Sequence, residues 1–208
     1  MRRTDVLRAS PPMFRSRVLD SLTRVHPLVP VAIYVPVIAV LSVTGVERTG
    51  PVLAALLALG GYATWTLTEY WLHRVVFHHE PTHPLSKRLH WMMHGVHHDH
   101  PNDPLRLVMP PTVSVPVALA FGGLFWLVLG SAAAPAFMAG FTSGYLAYDM
   151  IHYHLHHHKP HSRWGRLLRE LHMRHHFQDH ERGFGVSAPW WDRVFGTAPN
   201  SERARRLT

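Results

Sequence analysis

The chain has 208 residues, enough for one compact domain or one small membrane bundle. It carries 21 Lys+Arg against 13 Asp+Glu, a formal net charge of +8, and no cysteine, which excludes a disulfide framework and any thiolate metal site. The basic residues gather at the ends: Arg2, Arg3, Arg8, Arg15, Arg17 and Arg24 precede the first apolar run, and Arg203, Arg205 and Arg206 close the chain. That is a positive-inside membrane pattern, not the footprint of a nucleic-acid binder.

In chain order, residues 1–27 read as a basic arm, with no small-residue cleavage site that would make them a secretory signal. "LVPVAIYVPVIAVLSVTGV" (28–46) is long enough to cross a hydrocarbon core of about 30 Å as a helix, and Pro36 is tolerable there because neighbouring helices satisfy the freed carbonyl. After a short "ERTG" turn, "PVLAALLALGGYATWTLTEYWL" (51–72) forms the second arm of a hairpin, with Trp65, Tyr70 and Trp71 expected in an interfacial belt. The uncharged stretch 107–148 is too long for one crossing and suits two, broken at "GSAAAP" (130–135) into spans of about 112–129 and 133–151. A mean hydropathy of -0.04 averages these runs with arginine tails and twenty histidines and so conceals them.

The fold expected is all-α: an integral membrane four-helix bundle of two transmembrane hairpins, with a helical His-rich cap on the cytoplasmic side that holds a di-metal centre. The membrane domain is placed at 28–197 and a basic tail at 198–208. Both termini fall on the arginine-rich, cytoplasmic side, as do the connecting segment 73–106 and the segment after 151.

Nineteen of the twenty histidines lie between 73 and 180, at span ends or in those connecting segments. In "LHWMMHGVHHDH", His94 is three residues before His97 and four before His98, so these rings share a helix face. His97 and His98 differ by about a hundred degrees around a helix, so the adjacent rings reach two different metals. The H-x-x-H-H triplet recurs as His172, His175 and His176 in "LHMRHHF". "HYHLH" sets His152 and His156 one turn apart, and "HRVVFH" supplies His73 and His78, whose spacing fits a helix that unwinds between them. A lone H-x-x-x-H is more often a solvated surface pair, but two triplets and two pairs on one side of a membrane form a ligand set. Ten imidazoles suit two metal ions with positions left open for bridging water or dioxygen. His79, His83, His90, His100, His154, His157, His158, His161 and His180 are left without a role as ligands.

The runs "EYWLHRVVFHHEP", "HGVHHDHPNDPLRLVMPP", "YDMIHYHLHHHKP" and "LHMRHHFQDHERGFGVSAPWWDRVFGT" resemble the fatty acid hydroxylase / sterol desaturase superfamily of membrane di-metal oxygenases, and within it the fatty acid 2-hydroxylases. The resemblance covers most of 69–197. It implies that the same ten histidines are the metal ligands, and that dioxygen and externally supplied electrons place a hydroxyl next to the carbonyl of a fatty acyl chain, a step in lipid metabolism. Eukaryotic members commonly carry a fused b-type cytochrome domain. The 27 residues before the first span cannot bury a haem, so a separate electron donor of cytochrome or ferredoxin type is expected, with no haem in this chain.

Cleaving an unactivated C–H bond requires a metal that changes oxidation state, so iron is the functional expectation, although imidazole also binds zinc and a purified sample could hold it. The spans are expected to form a slot that positions the acyl chain, with the di-metal centre itself as the catalytic group and no separate acid or base. Glu69 and Asp149 sit where an ionised carboxylate needs a reason to be: either accepting the second ring N–H of a ligand histidine, or snorkelling or paired with arginine. Tyr148 and Tyr153 line either the substrate mouth or the interfacial belt. Trp190 and Trp191 are placed at headgroup level, with Asp192 capping the site or pairing with Arg193 or another arginine. Within enzymes the alternative is a desaturase, or a carotenoid or sterol hydroxylase. Outside them it is a metal transporter or buffer, which the lack of midplane carboxylates and histidines disfavours.

Overall fold

The structure is a computed structural model describing residues 2–79 and 81–199. These residues form helices and loops, with no strand among them. Arg203, Arg205 and Arg206 of the expected basic tail lie outside the described residues. Two short helices, α1 (Arg3–Leu7) and α2 (Arg17–Ser21), precede α3 (Leu28–Thr49) and α4 (Pro51–Trp71). A π-helical turn, Leu72–Phe77, extends α4. Then come α5 (Pro84–His90), a second π turn (Trp91–Gly95), α6 (Val96–Asp99), α7 (Pro111–His157), α8 (Arg163–Phe177) and α9 (Trp190–Val194).

Three helical runs, Leu28–Thr49, Pro51–Phe77 and Pro111–His157, are long and apolar enough to cross a membrane. The "ERTG" turn is tighter than its sequence suggests: α3 continues to Thr49, and Gly50 alone reverses the chain, at φ 78°. The expected break in the last apolar stretch falls on its first residue, Gly130, whose φ of 76° and ψ of 169° are not helical. A straight helix would separate Phe121 from Phe141 by about 30 Å. Their ring centroids are 4.8 Å apart, as are those of Phe125 and Phe137. The run is therefore itself a hairpin with arms 111–129 and 131–157, the second reaching six residues beyond the expected 151.

The seams between these helices are made by small residues, so that backbones approach closely without needing water to drive the contact. A Cβ added at Gly61 would strike the Phe137 carbonyl, and one at Gly140 the Ala58 carbonyl. The interior above this seam is aromatic: Trp65 meets Phe141 and Tyr145 edge-on at 5.2 and 5.3 Å, and Tyr34 meets Tyr145 at 5.1 Å. Large aliphatic side chains instead face outward, with Leu127, Val52 and Leu119 at 84%, 75% and 71% exposure, the inside-out distribution that suits lipid contact.

The N-terminal arm is docked, not loose. Val25 N–H donates to the Leu105 carbonyl (2.6 Å), Asn102 N–H to the Leu7 carbonyl (3.0 Å) and His100 Nδ1–H to the Val6 carbonyl (2.6 Å). At the centre of this contact Asp20 accepts from Arg106 (2.9 Å), Arg24 (3.1 Å) and the Met13 N–H (2.7 Å). The Arg106 side chain is only 2% exposed, so its guanidinium depends on that carboxylate and on the Pro11 carbonyl. Removing one partner of a buried pair leaves the other charge uncompensated. Asp20→Ala is expected to cost about 3 kcal/mol of stability, read as a lowered thermal unfolding midpoint in detergent, whereas Asp5→Ala at the exposed Arg2–Asp5 pair is expected to be neutral.

Candidate metal centre

The expected unwinding between His73 and His78 is the π turn. An α-helix would place residues five apart on different faces, but the wider π turn brings them together, with His73 and His78 Nε2 atoms 3.2 Å apart. The second π turn carries His94, and α6 supplies His97 and His98. The second arm of α7 ends in His152 and His156, and α8 carries His172, His175 and His176.

These ten rings gather into two groups, each with one ligand atom per residue and all of those atoms within 4.8 Å of one another: His73, His78, His94, His98 and His175, and His97, His152, His156, His172 and His176. The members of each i,i+4 pair stay together, whereas His97 and His175 cross over to the other group. The expectation that His97 and His98 serve different metals agrees with this partition. His94 and His97, expected to share a face, separate. None of the other ten histidines belongs to either group. His90 donates from Nε2 to the Phe77 carbonyl at 2.5 Å, which closes the loop between the π turns.

Two imidazole nitrogens each about 2.1 Å from one ion and at right angles about it stand about 3.0 Å apart. The Nε2 separations are 3.2 Å for His73–His94, 3.0 Å for His94–His98, 2.7 Å for His156–His172 and 3.2 Å for His172–His176. Hydrogen bonds also set tautomers. The Phe184 carbonyl accepts from His73 Nδ1–H at 2.7 Å and the Arg182 carbonyl from His175 Nδ1–H at 2.8 Å, which leaves both Nε2 lone pairs facing the group. His175 Nε2, His97 Nε2 and His152 Nε2 are buried without a hydrogen-bond partner. Buried polar atoms without partners are costly, and a cation bound among these lone pairs removes that cost. The residues fit two metal ions.

Burial, followed by the neighbouring rings, lowers the pKa of His78 and His97 to about 3. Burial likewise lowers His175 to about 4, partly opposed by its bond to the Arg182 carbonyl, and holds His94, His98, His172 and His176 far below the usual imidazole range. At neutral pH the rings are thus uncharged and their lone pairs available. Between the folded values and the ordinary 6.5, the unfolded chain binds more protons than the folded one. Metal-free protein is therefore expected to keep a flat unfolding midpoint above about pH 6.5 and to lose stability steadily as pH falls from there toward 4, as followed by thermal unfolding in chelator.

The two carboxylates expected near the histidines have other partners. Glu69 accepts from the Ser187 N–H at 2.7 Å and from the Ser187 hydroxyl. Asp149 accepts from the Tyr145 hydroxyl at 3.3 Å and the Met109 N–H at 3.4 Å. Among the described residues neither meets a ring nitrogen or an arginine. Asp192 does not pair with Arg193; it accepts from the Phe184 and Gly185 N–H groups, both at 2.9 Å, and from the Thr197 hydroxyl at 2.8 Å. Tyr153 lies tilted against His157, which belongs to neither group, with ring centroids 4.4 Å apart. Trp190 is exposed, while Trp191 turns inward and donates to Thr66 Oγ1 at 3.1 Å.

Tyr148 is buried between the second group and the bundle interior, stacking on His152 (5.7 Å) and lying 5.9 Å from Trp65. Trp65 in turn lines an apolar cleft, open at its mouth, whose other walls include Leu72, Met109, Phe121, Phe141 and Tyr145. Tyr145, Phe184 and Arg182 were not singled out from sequence. Tyr145 lies one turn before Asp149, a spacing that could have flagged it. The other two act through backbone carbonyls, which any residue type can supply.

The fatty acid hydroxylase family model matches residues 57–197. The chain belongs to the fatty acid hydroxylase family. This hydroxylase-family chain is similar to a dihydroceramide fatty acyl 2-hydroxylase of Arabidopsis thaliana, with 37% identity over 198 residues that make up 94% of the chain and 83% of the relative. To a ceramide very long chain fatty acid hydroxylase of Saccharomyces cerevisiae it is 37% identical over 194 residues, 91% of the chain and 50% of the relative. To a fatty acid 2-hydroxylase of Homo sapiens it is 41% identical over 147 residues, 66% of the chain and 38% of the relative. The family member thus spans most of the plant protein and half or less of the yeast and human ones. A solved structure of full-length scs7p, with only its hydroxylase domain visible, aligns at a TM-score of 0.84 and 36% identity over 88% of this chain and 70% of that one.

Proposed function

We propose that this member of the fatty acid hydroxylase family is a membrane di-iron monooxygenase that hydroxylates a fatty acyl chain at its 2-position, using dioxygen and electrons from a separate carrier. The observation that carries the reading is the pair of five-histidine groups, the second of which connects through the His152–Tyr148 stack and then Trp65 to an apolar cleft that Trp65 lines. The ten histidines are the proposed ligands, five to each ion. Iron, when bound, supplies the redox chemistry that dioxygen activation and C–H cleavage require. The names of the plant, yeast and human relatives support the acyl 2-position.

The protein's own part is placement and exclusion of water. The cavity holds the acyl chain by apolar contact, so that its carboxyl end lies toward Tyr148 and His152, and the reacting carbon is fixed by the position of the tail. Asp149, held by Tyr145 and the Met109 amide, ties the cavity wall to the loop before α7. Both arms of α7 cross the bilayer, giving four crossings. The histidine groups and both termini face the cytoplasm, with the arginines of the N-terminal arm on the anionic side.

Expression in a lipid-producing host and mass spectrometry of its acyl chains tests this reading. A gain of one oxygen at the 2-position is expected, and its loss in His94→Ala and His172→Ala along with metal content. Loss of two hydrogens, oxygen on a ring lipid, or full turnover by either variant would overturn it. Metal movement across vesicles without oxidised lipid would point to transport instead.

A further inference from the structure

The two histidine groups are held by different means. In the first, His73 and His175 each donate from Nδ1 to a carbonyl of the same short loop, Phe184 and Arg182. In the second, the Nδ1 atoms of His156, His172 and His176 are buried without any partner. One group is therefore oriented from outside by backbone, and the other is not.

The loop that orients the first group is itself fixed by one carboxylate. Asp192 is 2% exposed; Oδ1 accepts from Phe184 N–H and from Thr197 Oγ1, and Oδ2 from Gly185 N–H. Gly185 leaves room for this approach, since a Cβ there would lie 2.4 Å from the Ala188 carbonyl oxygen and 3.0 Å from Asp192 Oδ2. The Thr197 N–H donates back to the Asp192 carbonyl (2.8 Å), and the Gly183 N–H donates to the Thr197 carbonyl (2.9 Å). Because Thr197 Oγ1 donates to Asp192, it accepts from the Tyr70 hydroxyl at 2.9 Å, and Tyr70 accepts from Arg74 at 3.0 Å. Tyr70 and Arg74 flank His73 on the same helix. A closed circuit thus runs from His73 through the Phe184 carbonyl and amide to Asp192, then through Thr197 and Tyr70 back to the helix that carries His73.

We propose that Asp192 is a positioning residue for one of the two ions only: by fixing the 182–185 loop it sets the tautomer and aim of His73 and His175, and so selectively raises the affinity of the first histidine group. The inference rests on the reading of the ten histidines as two metal sites. Partners that orient a ligand histidine typically account for 10–100-fold in affinity, and the second group has no such partner to lose.

The test titrates purified, metal-stripped full-length protein in detergent with cobalt(II), read by d–d absorption and by competition with a chelator. Wild type is expected to bind two ions per chain. Asp192→Ala is expected to weaken one of them by about 10–100-fold and to leave the other within about twofold. Combining it with His78→Ala is expected to leave the surviving ion in place, whereas combining it with His156→Ala removes both tight sites. Thr197→Val is expected to shift the same ion in the same direction, and Thr197→Ser, which keeps the hydroxyl, to behave as wild type. If Asp192→Ala does not give monodisperse protein, the Thr197 pair decides the question. Equal weakening of both ions, no change in either, or selective loss of the His156 site would overturn the proposal. Wild type that binds no cobalt would instead overturn the metal reading itself.

Discussion

Ten imidazole rings, seven of them buried and three half-buried, crowd together at one end of an apolar bundle, where neighbouring rings cannot all carry charge. Burial lowers their proton affinity, and lowered proton affinity exposes lone pairs that find too few donors among the rings themselves. The rest of the structure follows from that constraint. Two π turns bring otherwise misaligned positions onto one face, a short carbonyl loop fixes two tautomers, and small-residue seams bring α3, α4 and α7 close enough for the histidine-bearing ends to meet.

Glu69 and Asp149, expected near the histidines, serve the frame around them instead, as does Asp20 in the N-terminal arm. Glu69 joins α4 to the loop at Ser187, Asp149 joins the second arm of α7 to the loop at Met109, and Asp20 joins the N-terminal arm to Arg106. In each case one carboxylate, buried in Glu69 and Asp149 and half-buried in Asp20, satisfies backbone amides or a cationic group from a segment distant in sequence. This arrangement lets irregular chain lie against a bundle without orphaned polar groups.

What the sequence made legible was whatever depends on local periodicity. The i,i+4 pairs His94–His98, His152–His156 and His172–His176, the divergence of His97 from His98, and the reversal near Gly130 all follow from helix geometry and from the conformational freedom of glycine. What it did not make legible depends on tertiary partners. The i,i+5 pair His73–His78 signalled an irregular helix but not its kind. The partners of Glu69, Asp149 and Asp192 are backbone groups or residues up to 118 positions away. Backbone carbonyls such as Phe184 have no side-chain signature at all, and the docking of the basic arm rests on Asp20 meeting Arg106 together with backbone carbonyls of Leu105, Leu7 and Val6.

The exchange of His97 and His175 between the two groups carries a consequence for assembly. The fifth ring of the first group is supplied by α8, near the end of the chain, although its other four rings are complete by α6. Neither hairpin with its own trailing segment supplies a full set: before α8 the first group has four of its five rings and the second three. Each five-ring set therefore closes only when α8 packs against the earlier segments, which ties residues 73–98 to residues 172–176.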